Sequence, residues 1–285
     1  EINLQITSGS LPISKQAFLD FTKMLRENVG LALDDTKEYL LDSRLSPIAR
    51  ATGYPNYGSL IQHLNSTPLS PLHWLAFESL LTNETMFFRD DHFFTGLKET
   101  ALPNLFEKKK NQKNLKIWCT SVSTGQEAYS LAILLKEYFP EMSGWDIEIR
   151  ASDICKDAIK KAKAGAYNPT EIHRGLSHEL IEKYFSVNSV GDYVADPSLK
   201  RMILFFNVNL IESLHEIQTF DLILIRNVLI YFLPETKKDV LRKIRTKLLD
   251  DQSYLMLGAA ESLIGDATFA PHRVGKFSFF TKISS

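Results

Sequence analysis

The chain has 285 residues, 44% of them apolar and 24% charged. That suits one large domain or two unequal ones and excludes disorder, collagen and coiled coil. A net charge of −1 and a pI near 6.8 exclude a nucleic-acid binder that relies on bulk electrostatics.

No apolar run approaches the roughly 18 residues of a membrane helix, so no membrane insertion is expected. No secretory signal is visible in the residues given, and none is expected. Two cysteines, Cys119 and Cys155, are too few for a disulfide scaffold or a zinc ribbon, and a reducing cytoplasm is the expected compartment.

Residues 1–80 read as helices only. Ser14 can cap a helix carrying Phe18, Phe21, Leu25 and Val29 near helical spacing, with Gly30 at its end. A second helix is predicted over 35–51 and a short third over 59–65, and Pro68 and Pro71 punctuate the next segment. After about residue 115 the period changes. Strands are predicted at 115–121, 146–153, 220–227 and 253–259, with helical stretches between them. Such alternation predicts a parallel sheet with crossovers. Residues 276–283, rich in Phe, can pair antiparallel at the sheet edge. Two extended pieces near 187–194 and 201–208 interrupt the alternation, and they read as a small β-insertion, about 186–208, standing off the main sheet.

The first strand runs into Val122-Ser123-Thr124-Gly125-Gln126-Glu127 and then a helix. Ligands in open α/β sheets bind beyond the carboxyl ends of the strands, at such a turn. A dinucleotide loop needs GxGxxG, and only Gly125 is present. Glu127 at the helix start suits a nucleoside with a cationic sulfonium better than an anion. Asp153 at the end of the second strand can accept ribose hydroxyls. Both features also read as helix caps, Thr124 to Glu127 as a capping box and Asp153 as a cap for the next helix.

Thr82-Asn83-Glu84-Thr85-Met86-Phe87-Phe88-Arg89 resembles the T-N-x-T-x-F-F-R signature of the chemotaxis receptor methyltransferases, the CheR family. Trp118 through Ser130, with Ser123-Thr124-Gly125-Gln126-Glu127, resembles a second motif of that family. Ala151-Ser152-Asp153-Ile154, Asn207-Val208-Asn209-Leu210 and Arg226-Asn227-Val228-Leu229-Ile230-Tyr231-Phe232 come next, in family order. The resemblance implies an all-helical N-terminal domain over 1–80. It implies an α/β domain over 81–285, a Rossmann-like sheet that binds S-adenosylmethionine and carries the inserted β-subdomain. The implied activity is methyl transfer to glutamate carboxylates on the cytoplasmic helices of methyl-accepting chemotaxis receptors, leaving S-adenosylhomocysteine. An alternative is a relative that binds the cofactor to sense it or to dock on a partner, or one with a different carboxylate acceptor. A nicotinamide-dependent dehydrogenase shares the fold class but lacks its glycines here.

Matched position by position, the resemblance assigns cofactor contacts to Asn83, Thr85, Arg89, Glu127, Asp153, Asn209, Leu210, Asn227 and Val228. It places Arg89 and Tyr231 nearest the transferred methyl. On residue type alone, Arg89 can instead pair with Asp90 or Asp91 at the surface, Tyr231 can be a half-buried aromatic, Asn209 a turn former and Asn227 a loop cap. Lys108-Lys109-Lys110 with Lys113 and Lys116 reads as a solvated loop before the first strand or, less simply, as a contact for an acidic partner or a nucleic acid. Phe87 and Phe88 read as packing at the domain junction. No histidine spacing suggests a metal site, and Cys119 reads as a small core residue.

The sequence departs from the family in two places that bear on docking. Residues 1–75 hold six basic residues against seven acidic ones, Glu1 among them, with no basic cluster to face acidic receptor helices. The β-insertion has one glycine, Gly191, where relatives that grip a receptor's C-terminal pentapeptide have a glycine-rich loop, so that grip is not expected.

Overall fold

The computed structural model describes residues 13–263 and 265–283, so Glu1 lies outside the described residues. Two compact units are present, one running through Thr82 and including Tyr231–Leu233, the other formed by Asn83–Ile230 and Pro234–Ser285.

The first unit is helical. Helix α1 (Lys15–Val29) starts where the Ser14 side chain accepts from the Ala17 N–H at 3.1 Å. It ends at Gly30 in the left-handed region (φ 79°), whose N–H closes on the Arg26 carbonyl. A 3₁₀ turn (Asp35–Lys37) leads into α2 (Glu38–Ala51), and Asn56 caps α3 (Tyr57–Ser66). Pro71, expected to punctuate a loop, instead occupies the first turn of α4 (Pro71–Leu80), where a missing N–H costs nothing. The apolar faces meet in a core with Phe21, Leu25, Leu41, Leu45, Leu60 and Phe77 fully buried. Burial of each such side chain contributes about 1.5–3 kcal/mol. His73 is also fully buried. Its Nε2 lies 2.9 Å from the Leu64 carbonyl and its Nδ1 accepts from the Ser70 N–H, so both ring nitrogens have backbone partners. Tyr231 joins this unit through its carbonyl, which accepts from the Ala32 N–H at 3.0 Å.

The second unit opens with α5 (Asp91–Gly96) and, after a π turn, α6 (Leu102–Lys109), then β1 (Asn114–Cys119) and α7 (Gln126–Tyr138). Next come β2 (Asp146–Asp153), α8 (Lys156–Ala164), β3 (Ala166–Tyr167), α9 (Pro169–Ile172) and α10 (His178–Tyr184). Strands β4 (Phe185–Val187) and β5 (Tyr193–Ala195), α11 (Pro197–Lys200), β6 (Ile203–Asn207) and β7 (Leu222–Ile225) succeed them. Helix α12 (Pro234–Arg245), β8 (Tyr254–Leu257), β9 (Phe269–Val274) and β10 (Phe277–Lys282) complete the chain.

Seven strands form one sheet in the order β6-β2-β1-β7-β8-β10-β9, parallel from β6 to β8. This is the doubly wound Rossmann order with one antiparallel strand, β10, inserted near the end. Central β1 pairs on both sides, Ile117 opposite Ile149 and Leu222. Strands β7 and β8 are buried along their whole length, as strands covered on both faces must be. No helix among the described residues is long and apolar enough to cross a membrane.

Three expectations need correction. Residues 201–208 do not stand off the main sheet. Strand β6 pairs parallel to β2 and turns Ile203 and Phe205 inward with Leu204 exposed, the period of a half-covered edge strand. The small sheet is instead β3-β5-β4, whose first strand lies before the predicted insertion. The C-terminal strand β10 is not at the edge, because β9 lies outside it. The lysine run is not a solvated loop. It closes α6, where Lys109 pairs with the buried Asp221 at 3.0 Å and Lys108 donates to the Gln252 carbonyl and the Tyr254 hydroxyl.

Candidate functional site

The carboxyl ends of β1, β2 and β7 lie side by side, and the loops that leave them carry the sequence motifs. Five described non-glycine residues adopt left-handed backbone. Four of them stand in these motifs or directly beside one: Phe88 (φ 49°), Asp90 (φ 68°), Ser123 (φ 50°) and Asn227 (φ 57°). Each costs on the order of 1–3 kcal/mol and persists only where its surroundings hold it, and such residues cluster at functional sites.

Each is held by named bonds. Asp153 ends β2 and is nearly buried. Its Oδ2 accepts from the Ser123 N–H at 2.7 Å and its Oδ1 from the Cys155 N–H at 3.0 Å. Ser123 in turn donates its hydroxyl to the Asn83 carbonyl at 2.9 Å, which ties the first motif to the loop after β1. The Asn83 amide reaches the Cys155 sulfur at 3.7 Å. Gly125, at φ 98°, starts α7, and a Cβ there would meet the Ala162 Cβ at 2.8 Å. Helix α7 begins at Gly125 with no side-chain cap, so the Thr124 to Glu127 capping box does not form, whereas Asp153 meets the start of α8 through the Cys155 N–H.

The second network centres on Arg226, which comes directly after the apolar β7 and has a side chain 2% exposed. Its Nη1 donates to Glu127 Oε2 at 2.7 Å, and its Nη2 donates to Asp90 Oδ2 at 2.7 Å and to the Arg89 carbonyl at 2.8 Å. The guanidinium lies 3.7 Å from the Phe93 ring centroid, a cation–π contact. Burial raises the Glu127 carboxyl above its ordinary range, and Arg226 draws it only part of the way back. Phe88 donates its N–H to the Ser130 hydroxyl at 2.9 Å, which fixes the other side of Arg89.

The third network is a carboxylate nest. Glu261 accepts from the backbone N–H groups of Asn227, Val228, Leu229 and Gly258 at 2.7–3.0 Å.

The structure thus brings Asn83, Arg89, Glu127, Asp153, Asn227 and Val228 into bonded networks on adjacent loops. Thr85 stands half-buried on the first of these loops. The Arg89 side chain turns away from Asp90 and Asp91. Its Nη1 donates to the Glu84 carbonyl at 2.8 Å, and Asp90 belongs to Arg226. Beyond β6, Asn209 accepts from the Ile211 N–H and donates to Glu212, a turn, with Leu210 buried next to it. Tyr231 falls in the other unit. Phe87 packs edge-on against Tyr167 and Phe185, and Phe88 against Phe94. Cys119 is fully buried in β1, where burial pushes its thiol well up. The sequence reading missed the roles of Arg226, Asp90, Ser123 and Glu261. The available signal was Arg226 itself, a charge directly after Leu-Ile-Leu-Ile that needs acids close by.

Residues 83–274 match the model of the CheR methyltransferase SAM-binding domain, and residues 16–82 match that of the CheR methyltransferase all-alpha domain. The chain belongs to the CheR methyltransferase family. It is 36% identical over 258 residues to the chemotaxis protein methyltransferase of Vibrio anguillarum, covering 90% of this chain and 92% of that one. It is 35% identical over 246 residues to chemotaxis protein methyltransferase 1 of Pseudomonas aeruginosa, covering 85% and 89%. This CheR family member is an S-adenosylmethionine-dependent methyltransferase.

The residues present fit that cofactor. Asp153 presents an acceptor-only carboxylate at the end of β2, the chemistry that a ribose diol requires. Across the loops, the carboxylates of Asp90, Glu127 and Asp153 outnumber the guanidiniums of Arg89 and Arg226. A net negative site favours a cofactor with one net positive charge over its neutral product.

Proposed function

We propose that this CheR family enzyme transfers the methyl group of S-adenosylmethionine to glutamate side chains on the cytoplasmic helices of methyl-accepting chemotaxis receptors, giving methyl esters. Family membership supports the acceptor class. The observation that carries the site assignment is the gathering of four left-handed non-glycine residues on the motif loops, each fixed by named bonds.

In this reading Asp153 takes the ribose and Asn209 and Leu210 take the adenine. Asn83, Thr85, Glu127, Asn227 and Val228 take the remainder of the cofactor, and Arg89 and Tyr231 stand nearest the methyl. The cofactor supplies an electrophilic methyl on a sulfonium. An acceptor carboxylate with a pKa of about 4.3 is already ionised at pH 7, so no residue need act as a general base. Arg89 can hold that carboxylate by one oxygen, whereas a bidentate grip would blunt the nucleophile. An anion and a cation give two neutral products, so loops that exclude water speed the step.

Incubation with methyl-labelled cofactor and a receptor cytoplasmic fragment should place base-labile label on glutamate. Absence of label across several receptors would refute the acceptor assignment.

A further inference from the structure

The turn after β7 is held from outside its own strand. Glu261 lies beyond β8, and its carboxylate gathers four backbone N–H groups. Oε1 accepts from Val228 at 3.0 Å and Leu229 at 2.7 Å, and Oε2 from Asn227 at 2.8 Å and Gly258 at 2.9 Å. Three of these donors are successive residues that open the 3₁₀ turn Leu229–Tyr231, a concave nest of the kind that binds anions. The first of them, Asn227, has left-handed backbone, a conformation that needs outside support.

A second observation agrees. A Cβ on Gly258 would lie 2.8 Å from Glu261 Oε2 and 3.0 Å from the Asn227 nitrogen, so the glycine leaves the space through which the carboxylate reaches the turn.

We infer that Glu261 is a positioning residue that sets the Asn227–Leu229 turn, and through it the affinity for the nucleoside cofactor, without touching the reacting groups. The inference rests on the proposed reading that Asn227 and Val228 contact the cofactor. Glu261→Gln keeps the volume and turns one acceptor oxygen into a donor that faces N–H groups. Glu261→Ala empties the nest and leaves room for a small carboxylate.

Affinity for S-adenosylhomocysteine is measured by calorimetry on the full chain, together with kcat and the cofactor KM. Glu261→Gln should weaken binding about 10- to 100-fold, the worth of one or two hydrogen bonds to a charged group. Its cofactor KM should rise while kcat at saturation is kept. In Glu261→Ala, added formate should restore affinity saturably, and chloride at equal ionic strength should not.

Wild-type affinity in Glu261→Gln, or a lost affinity in Glu261→Ala that formate does not restore, overturns the inference. Where Glu261→Ala does not fold, the Glu261→Gln split decides, and equal loss of kcat and affinity overturns it. Asn227→Ala is measured in parallel. If it binds like wild type, the cofactor-contact reading has failed. If it is weakened while Glu261→Gln is not, the Glu261 role alone has failed.

Discussion

Replacing Arg226 by methionine removes a buried cation and keeps most of its length. The change deletes the bonds to Glu127 and Asp90, both at 2.7 Å, and to the Arg89 carbonyl at 2.8 Å. Asp90 has a side chain 31% exposed and regains water, so its loss contributes little. Glu127 has a side chain 12% exposed and is left as an unpaired charge. Breaking one partner from such a pair costs about 3–5 kcal/mol. At about 2–4 °C per kcal/mol for a domain of this size, the melting temperature of the second unit should fall by about 6–20 °C. Scanning calorimetry reads this directly. Adding Glu127→Gln to Arg226→Met removes the stranded charge and should recover about half of the loss.

The effect should also depend on pH. A raised carboxyl pKa in the folded state favours the protonated form. The penalty is therefore full above that value and vanishes as pH falls below the unfolded value of about 4.3. The gap between wild type and Arg226→Met should narrow towards pH 4. A loss under about 1 kcal/mol at pH 7, or no recovery in the double variant, would refute the reasoning.

Gly125→Ala should cost about 2–4 kcal/mol, from left-handed backbone and overlap with Ala162, and should weaken cofactor binding; urea unfolding and calorimetry check both. Arg89→Ala should cut turnover more than cofactor affinity, and Asp153→Ala should do the reverse; equal loss of both in each variant would show the two roles to be wrong. Glu137 accepts from Lys183 and from the Tyr184 hydroxyl, which lowers its carboxyl pKa. Its stabilisation is present above the ordinary value of about 4.3 and is lost as pH falls through the lowered one. Glu137→Gln should therefore destabilise at pH 7, and its gap to wild type in urea titrations should shrink as pH falls below the ordinary carboxyl value. Removing the last five residues of a receptor substrate should leave its methylation rate unchanged, since the β4–β5 loop is a tight turn in which Asn188 accepts from the N–H groups of Val190 and Asp192.

The α/β alternation, the central strands and the N-terminal helices were legible because their apolar periods are long and their caps conventional, Ser14 and Gly30 above all. Strand β9 was not, because Phe-Ala-Pro-His-Arg-Val has no alternation and a proline within it. Strand β3 has two residues, too few for any period. The motif loops were found as words of sequence, yet their internal wiring was not. Whether Asp90 serves Arg89 beside it or Arg226 far along the chain depends on which strands become neighbours, and spacing carries no trace of that. Glu261 carried no signal in the sequence, since its partners are backbone groups, which every sequence has.

Strand β9 forms one of the two edges of the sheet. Pro271 lacks an amide proton, and His272 and Arg273 beside it are exposed. A border made this way is a poor template for a strand from another molecule. The β9 edge of the sheet is thereby guarded against pairing with a strand from another copy.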